Sequence, residues 1–257
     1  AFDDITDLVS AQRSAAWGDV ARRIAHEIKN PLTPIQLSAE RIRRKFIAKL
    51  DGDEEAVEQM TDVIIRQTND LRRIVDEFSK FARMPEPDKR REDIVEILRA
   101  AVLLQEAGQP DVAFEIDIPS TPVLTEIDAT MVSQAFTNLL KNAGEAIETR
   151  LEKTQGADVP GRIKIKMTLS AQQLCITVAD NGIGLPTDRA RLFEPYVTTR
   201  DRGTGLGLAI VRKIIEEHGG SLRLEDADPF DGADFKGAKA VILLPTHALQ
   251  DATAMTK

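Results

Sequence analysis

Asp180-Asn181-Gly182-Ile183-Gly184-Leu185-Pro186 follows directly on Leu174 to Ala179, a run that alternates like a strand. Gly203-Thr204-Gly205-Leu206-Gly207 then leads into a helical run that closes at Gly219-Gly220. The first stretch puts a carboxylate at a strand end, where it can accept a hydrogen bond from an exocyclic amine. Its glycines let the backbone approach a flat ring closely. The second offers N–H donors and the positive end of a helix dipole to a polyphosphate. It is not a Walker A loop, because no Lys-Ser/Thr follows, and a dinucleotide fingerprint would follow the first strand. Taken singly, a tight turn and a helix start explain these residues equally well.

Two further stretches complete the set. Asn138-Leu-Leu-Lys141-Asn142-Ala-Gly-Glu-Ala146 lies in a helical run from Asp128 to about Lys153. Asparagine is a mediocre helix former, yet Asn138 and Asn142 stand four apart and share a face. Amide oxygens there suit a hard cation that also holds phosphates, and two solvated asparagines are the plain alternative. Phe193-Glu-Pro-Tyr-Val-Thr-Thr199-Arg200 falls between Gly184 and Gly203, a span long enough for a lid. Four spaced elements in this order say more than any one glycine cluster. Around them the pattern predicts a helix from Ile94 to Gly108 and strands at Val112–Ile118, Arg162–Leu169, Leu174–Ala179, Ser221–Leu224 and Ala238–Leu244. This is a two-layer α/β domain with helices on one face of a mixed sheet.

These segments resemble the N, G1, F and G2 boxes of the Bergerat-type ATP-binding fold of histidine kinases, gyrase and mismatch-repair ATPases, over about Glu92 to Pro245. The resemblance implies ATP as substrate and Asn142 as a Mg²⁺ ligand, with Asn138 and Lys141 near the phosphates. It further implies that Asp180 reads the adenine amine above Gly182 and Gly184. Thr199 and Arg200 belong to the implied lid, and Gly203, Thr204, Gly205, Leu206 and Gly207 approach the phosphates. In hydrolytic relatives a water-activating glutamate stands at the position of Asn138. An amide is a poor general base, which disfavours a dedicated ATPase.

Upstream the chain reads as two long helices. Trp17, Val20, Ile24, Ile28, Leu32, Ile35, Ala39, Ile42 and Phe46 form one stripe, loosened at Pro31 and Pro34. After Asp51-Gly52-Asp53, a second stripe places Val57, Met60, Ile64, Gln67, Leu71, Ile74, Phe78 and Phe81 at three-four alternation. Each stripe is wider than one partner covers, and a lone hairpin has too little core. Pairing of two hairpins resolves both problems, so a homodimeric four-helix bundle is expected. On the first helix His26 lies about 160–200° from the Ile24 and Ile28 stripe and faces solvent. Its neutral imidazole nitrogen is a good phosphoryl acceptor near physiological pH, and adjacent Glu27 is placed to take the ring proton.

Ala25-His26-Glu27-Ile28-Lys29-Asn30-Pro31-Leu32 is similar to the phosphoacceptor H box of sensor histidine kinases. The similarity implies autophosphorylation of His26 and transfer to an aspartate of a response regulator receiver domain. Glu27 and Asn30 are implied to support dephosphorylation of that receiver. Pro31 to Phe46 resembles the NtrY-type nitrogen-regulation kinases. That implies an NtrX-like regulator and a parent protein anchored in the bacterial inner membrane, with this chain as its cytoplasmic portion.

Composition sets the limits. The chain has 257 residues, with 34 Lys plus Arg against 42 Asp plus Glu, a net charge of −8. That acidity disfavours a nucleic-acid partner. A single cysteine, Cys175, forms no intramolecular disulfide and fits a reducing compartment. Three histidines at unrelated spacings argue against a zinc site. No run of about 18 apolar residues is present to cross a bilayer. The chain begins at Ala1, which fits a piece of something longer. The expected organisation is a tail of a preceding sensor domain or signalling linker (1–12), a dimerisation and phosphotransfer domain (13–84), a charged linker (85–92), an ATP-binding domain (93–248) and a C-terminal tail (249–257). Two rivals stand beside the kinase: a Bergerat-fold ATPase, and a degenerate kinase that serves as scaffold.

Overall fold

The computed structural model describes residues 25, 28–45, 54–82, 84–154, 159–170, 173–189, 191–194, 205–230 and 236–245. His26, Glu27, Thr199, Arg200, Gly203 and Thr204 lie outside the described residues. The chain divides into two compact units, Ala1–Pro85 and Glu86–Lys257.

In the first unit, residues 28–45 (α1) and Glu54–Ala82 (α2) are helices. The side chains that bridge them fix an antiparallel register. Arg43 Nη1 donates to Asp62 Oδ1 at 2.9 Å, Arg72 Nη2 donates to Thr33 Oγ1 at 3.2 Å, and Lys29 pairs with Asp76. These exposed contacts are worth little in stability, on the order of 0–1 kcal/mol each, and set alignment instead. The buried seam is built from heptad-spaced small residues. Ala25, Leu32 and Ala39 lie on one helix side, and Thr61, Thr68 and Val75 on the other. The threonine hydroxyls donate back to their own helix, Thr61 to Val57 O at 2.9 Å and Thr68 to Ile64 O at 2.7 Å, so neither hydroxyl is orphaned. Of the expected stripe on α2, Val57, Ile74 and Phe78 are half-buried. Met60, Ile64, Gln67 and Leu71 remain exposed, as do Ile35 and Ile42 on α1.

The second unit holds a five-stranded sheet of order β2-β4-β5-β7-β6, with β2 (Val112–Asp117), β4 (Gly161–Leu169), β5 (Gln173–Asp180), β6 (Ser221–Asp226) and β7 (Ala238–Pro245). β2 runs parallel to β4, and the other neighbours are antiparallel. Alternate residues Ile163, Ile165, Met167, Leu174, Ile176 and Val178 point to one face. That face is covered by α3 (Ile94–Gly108), α4 (Ala129–Thr154) and α5 (Gly207–Glu217), with Phe136, Leu140, Ile147, Ile214 and Ile215 fully buried. A mixed sheet under one helical layer is the expected architecture.

Two strands carry no hydrophobic alternation that marks them in the sequence. Arg90–Asp93 (β1), which takes up the last three residues of the expected charged linker, pairs antiparallel with Leu124–Ile127 (β3). Backbone pairing and Asp93 hold them. Asp93 Oδ1 accepts from Val95 N at 3.1 Å, capping α3, and from Val123 N at 2.9 Å. Asp128 plays the same part for α4, accepting from Thr130 N and Met131 N on Oδ1 and from Asp88 N on Oδ2.

Candidate nucleotide site

Asn138, Lys141 and Asn142 stand on α4, the helix buried deepest against the sheet. Asn138 and Asn142 are half-buried, and Lys141 is exposed and faces Glu145 at 3.8 Å. A side chain built at Gly207, the first residue of α5, would meet the Asn142 amide at 3.6 to 3.7 Å. The N box and the start of α5 therefore converge. The residue at the α5 N-cap is Leu206, which has no side-chain acceptor, and the first turn holds no acidic residue. Gly205 before it takes a positive φ of 68°. A helix start without a side-chain cap, beside a neutral side-chain amide, is an arrangement suited to phosphate.

The other wall is the end of β5. Asp180 is buried, and its Oδ1 accepts from Gly182 N at 2.8 Å and from Ala238 N at 3.4 Å. Ile183 N donates to Ala146 O at 3.2 Å, which ties the turn to α4. Gly182 makes that approach possible, since a Cβ there would lie 2.6 Å from the Ala146 carbonyl carbon. Gly184 has φ of 74° against the Lys236 carbonyl, so a larger residue is strained twice over. Asn181 belongs to the scaffold: its Oδ1 accepts from Arg162 N at 2.8 Å and its Nδ2 donates to Pro160 O at 2.9 Å.

Downstream, the short turn that leads into the F segment is anchored at both ends. Arg189 pairs with Asp226 at 2.7 Å, and the Phe193 ring lies 5.3 Å beneath the Arg212 guanidinium of α5. The base of α5 is fixed by His218, which sequence reading treats only as a helix end. Its Nε2 accepts from Asp128 N at 2.9 Å, so the proton sits on Nδ1, which donates to Ile214 O at 2.7 Å. Burial holds this imidazole below its ordinary pKa. Its hydrogen bonds connect the C-terminus of α5 to the N-cap of α4. No sequence signal beyond a histidine before Gly219 marks that role.

Among the described residues no group of three or more His, Cys, Asp or Glu side chains could hold a metal ion, and no helix is long and apolar enough to cross a membrane. The donor set at α4 and α5 instead fits a Mg²⁺ that takes one amide oxygen and otherwise phosphate and water.

The chain is similar to known proteins along most of its length. Residues 127–248 match the histidine kinase-, DNA gyrase B- and HSP90-like ATPase family, and residues 16–87 match the His Kinase A (phospho-acceptor) domain family. A phospho-acceptor hairpin followed by this ATPase fold defines the sensor histidine kinases, and the chain belongs to that family. Within it, the chain is similar to the NtrY type. It is 55% identical to nitrogen regulation protein NtrY of Azorhizobium caulinodans over 90% of this chain and 30% of that protein. It is 40% identical to a putative NtrY-like sensor histidine kinase of Rickettsia bellii, over 86% of this chain and 35% of that one. The chain thus spans about a third of the length of these relatives. The crystal structure of histidine kinase ThkA in complex with response regulator TrrA is matched with a TM-score of 0.61 at 26% identity, over 95% of this chain and 68% of that one.

Proposed function

We propose that this chain is the catalytic portion of an ATP-dependent protein-histidine kinase that phosphorylates its own His26 and passes the phosphoryl group to a receiver aspartate. The observation that carries the reading is the convergence of Asn142, the glycine-led α5 N-terminus and the Asp180 turn beside one buried helix. Asp180 accepts the adenine amine, and Gly182 and Gly184 let the ring lie against backbone. The N–H groups from Gly205 to Gly207 receive the phosphates, with Asn138 and Lys141 at their edge. Asn142 supplies an oxygen for Mg²⁺, which when bound neutralises phosphate charge. Thr199 and Arg200 belong to the lid, and Gly203 and Thr204 approach the phosphates. Phosphoryl transfer of this kind needs positioning and charge neutralisation more than covalent help.

The acceptor is His26, with Glu27 holding the ring proton. Asn30, exposed on α1, orients water when the same surface dephosphorylates the receiver. Arg43 and Arg44 lie on the exposed face offered to that receiver. Two copies pair through the uncovered α1 and α2 stripes. By its similarity to NtrY, the receiver is NtrX-like, the pathway is nitrogen regulation, and the parent protein is anchored in the bacterial inner membrane. The domain limits 13–84, 85–92 and 93–248 assign those roles along the chain, with tails at 1–12 and 249–257. Incubation with γ-labelled ATP and Mg²⁺, following protein label and free phosphate together, tests the reading. A kinase gives a labelled band that saturates near one phosphoryl per chain. Steady phosphate release without label makes it an ATPase, and failure to bind ATP makes it a scaffold.

A further inference from the structure

The return from β6 into β7 packs directly behind the turn that follows β5. Gly237 lies so close to the end of β5 that a Cβ on it would come 2.6 Å from the carbonyl carbon of Asp180 and 2.9 Å from Cα of Asn181. The next residue, Ala238, turns its N–H toward Oδ1 of Asp180 at 3.4 Å. The preceding residue, Lys236, sets its carbonyl against Gly184. The stretch is itself held from behind, because Ala227 N donates to Gly237 O at 2.9 Å. Ala238 N and Gly182 N thus converge on one oxygen of one buried carboxylate, and one of the two comes from a segment far away in sequence.

We propose that residues 236–238 are a positioning element for Asp180, and that Gly237 and Ala238 set how strongly the site prefers a 6-amino purine nucleotide over a 6-oxo one. The proposal rests on the reading of Asp180 as the acceptor for the purine amine. A carboxylate with Oδ1 tethered by two N–H groups has a fixed plane. The direction in which it can accept an amine is therefore fixed as well. A 6-oxo purine presents a carbonyl oxygen to the same carboxylate, and two acceptors repel. Displacing the end of β5 by a few tenths of an ångström weakens the amine bond, which only the 6-amino purine makes. Selectivity is then lost from one side only. A neutral hydrogen bond would show this weakly, but one to a charged group is worth roughly tenfold or more in affinity.

The test is calorimetric titration of the whole chain with ADP and with IDP, both with Mg²⁺, which avoids phosphoryl transfer. Gly237→Ala adds the forbidden Cβ. Ala238→Pro removes the N–H while leaving Gly237 intact, at a strand's first residue, where proline is tolerated. The wild type is expected to bind ADP at least about tenfold more tightly than IDP. Either variant is expected to lose most of that preference through weaker ADP binding, with IDP affinity within about twofold of wild type. An unchanged ADP-to-IDP ratio in a folded variant overturns the proposal. Equal loss of both nucleotides, or failure of both variants to fold, makes the segment part of the general scaffold and overturns it too. A wild type without ADP preference removes the reading of Asp180 itself, which the variants alone would not reveal.

Discussion

Adjacent residues at the end of β5 divide two tasks that the sequence presents as one motif. Asp180 is the proposed acceptor for the purine amine, whereas Asn181 closes hydrogen bonds to Arg162 and Pro160 on the neighbouring strand and its approach. Asp180→Asn keeps an oxygen for the Gly182 N–H but presents an NH₂ group where an acceptor is needed. It is expected to weaken ATP affinity roughly 10–100-fold with little change in melting temperature. Asn181→Ala is expected to do the reverse. Leaving a buried N–H and a carbonyl unpartnered costs about 1–3 kcal/mol of stability and leaves nucleotide affinity in the remaining folded protein almost unchanged. Titration and thermal melting of both variants separate the two roles. From the residues alone, Asp-x-Gly-x-Gly reads as a unit. Only the pairing of β4 with β5 shows that the second residue, Asn181, faces the scaffold.

Helix packing makes the site pH-sensitive at its foundations. His218 is neutral in the folded unit, with Nε2 accepting from Asp128 at the start of α4. Because burial lowers its pKa, the unfolded chain binds its proton first as pH falls. The His218 contribution is therefore fully present above about pH 6.5, the ordinary imidazole value, and is lost as pH drops through the lower folded value. Urea unfolding at pH 7.5 and 5.5 is expected to show a larger loss of stability in wild type than in His218→Gln, by at most about 1.4 kcal/mol per pH unit. Equal losses would remove His218 from the account. At this scale the hydrophobic periods placed α3, α4, α5 and five strands to within a few residues, since each buries one face. β1 and β3 escaped because they are short and partly charged, and their pairing depends on Asp93 and on partners far away in sequence. Asn142 and Gly207 could be suspected as one site from their residue types, but their approach follows from the contact of α4 with α5, which no local pattern encodes.

For the molecule as a whole, the first unit has two apolar surfaces of different character. The seam inside the hairpin is lined by alanine and threonine with Leu32 and Val75, close-packed but small. Larger residues, among them Ile35, Met60, Ile64 and Leu71, stay uncovered in the single chain, with Met60 66% exposed. A soluble helical hairpin does not hold such a stripe open without a partner. The double variant Ile64→Glu/Leu71→Glu is expected to sediment as a monomer at micromolar concentration while melting of the ATP-binding unit is unchanged. A dimer that survives both charges would place the contact elsewhere. The sequence revealed that the stripe was too wide for one partner. Which part of it served the hairpin itself depended on the register set by Lys29, Thr33 and Arg43 against Asp76, Arg72 and Asp62.

The claim that joins both units is that γ-phosphate bound beside α4 and α5 ends on His26. Incubation of the chain and of His26→Gln with γ-labelled ATP and Mg²⁺, followed by acid and base treatment of the protein, tests it most directly. The account predicts base-stable, acid-labile label on the wild-type chain and none on His26→Gln, with both binding ATP equally. Label that persists in His26→Gln, or label that survives acid, would contradict it.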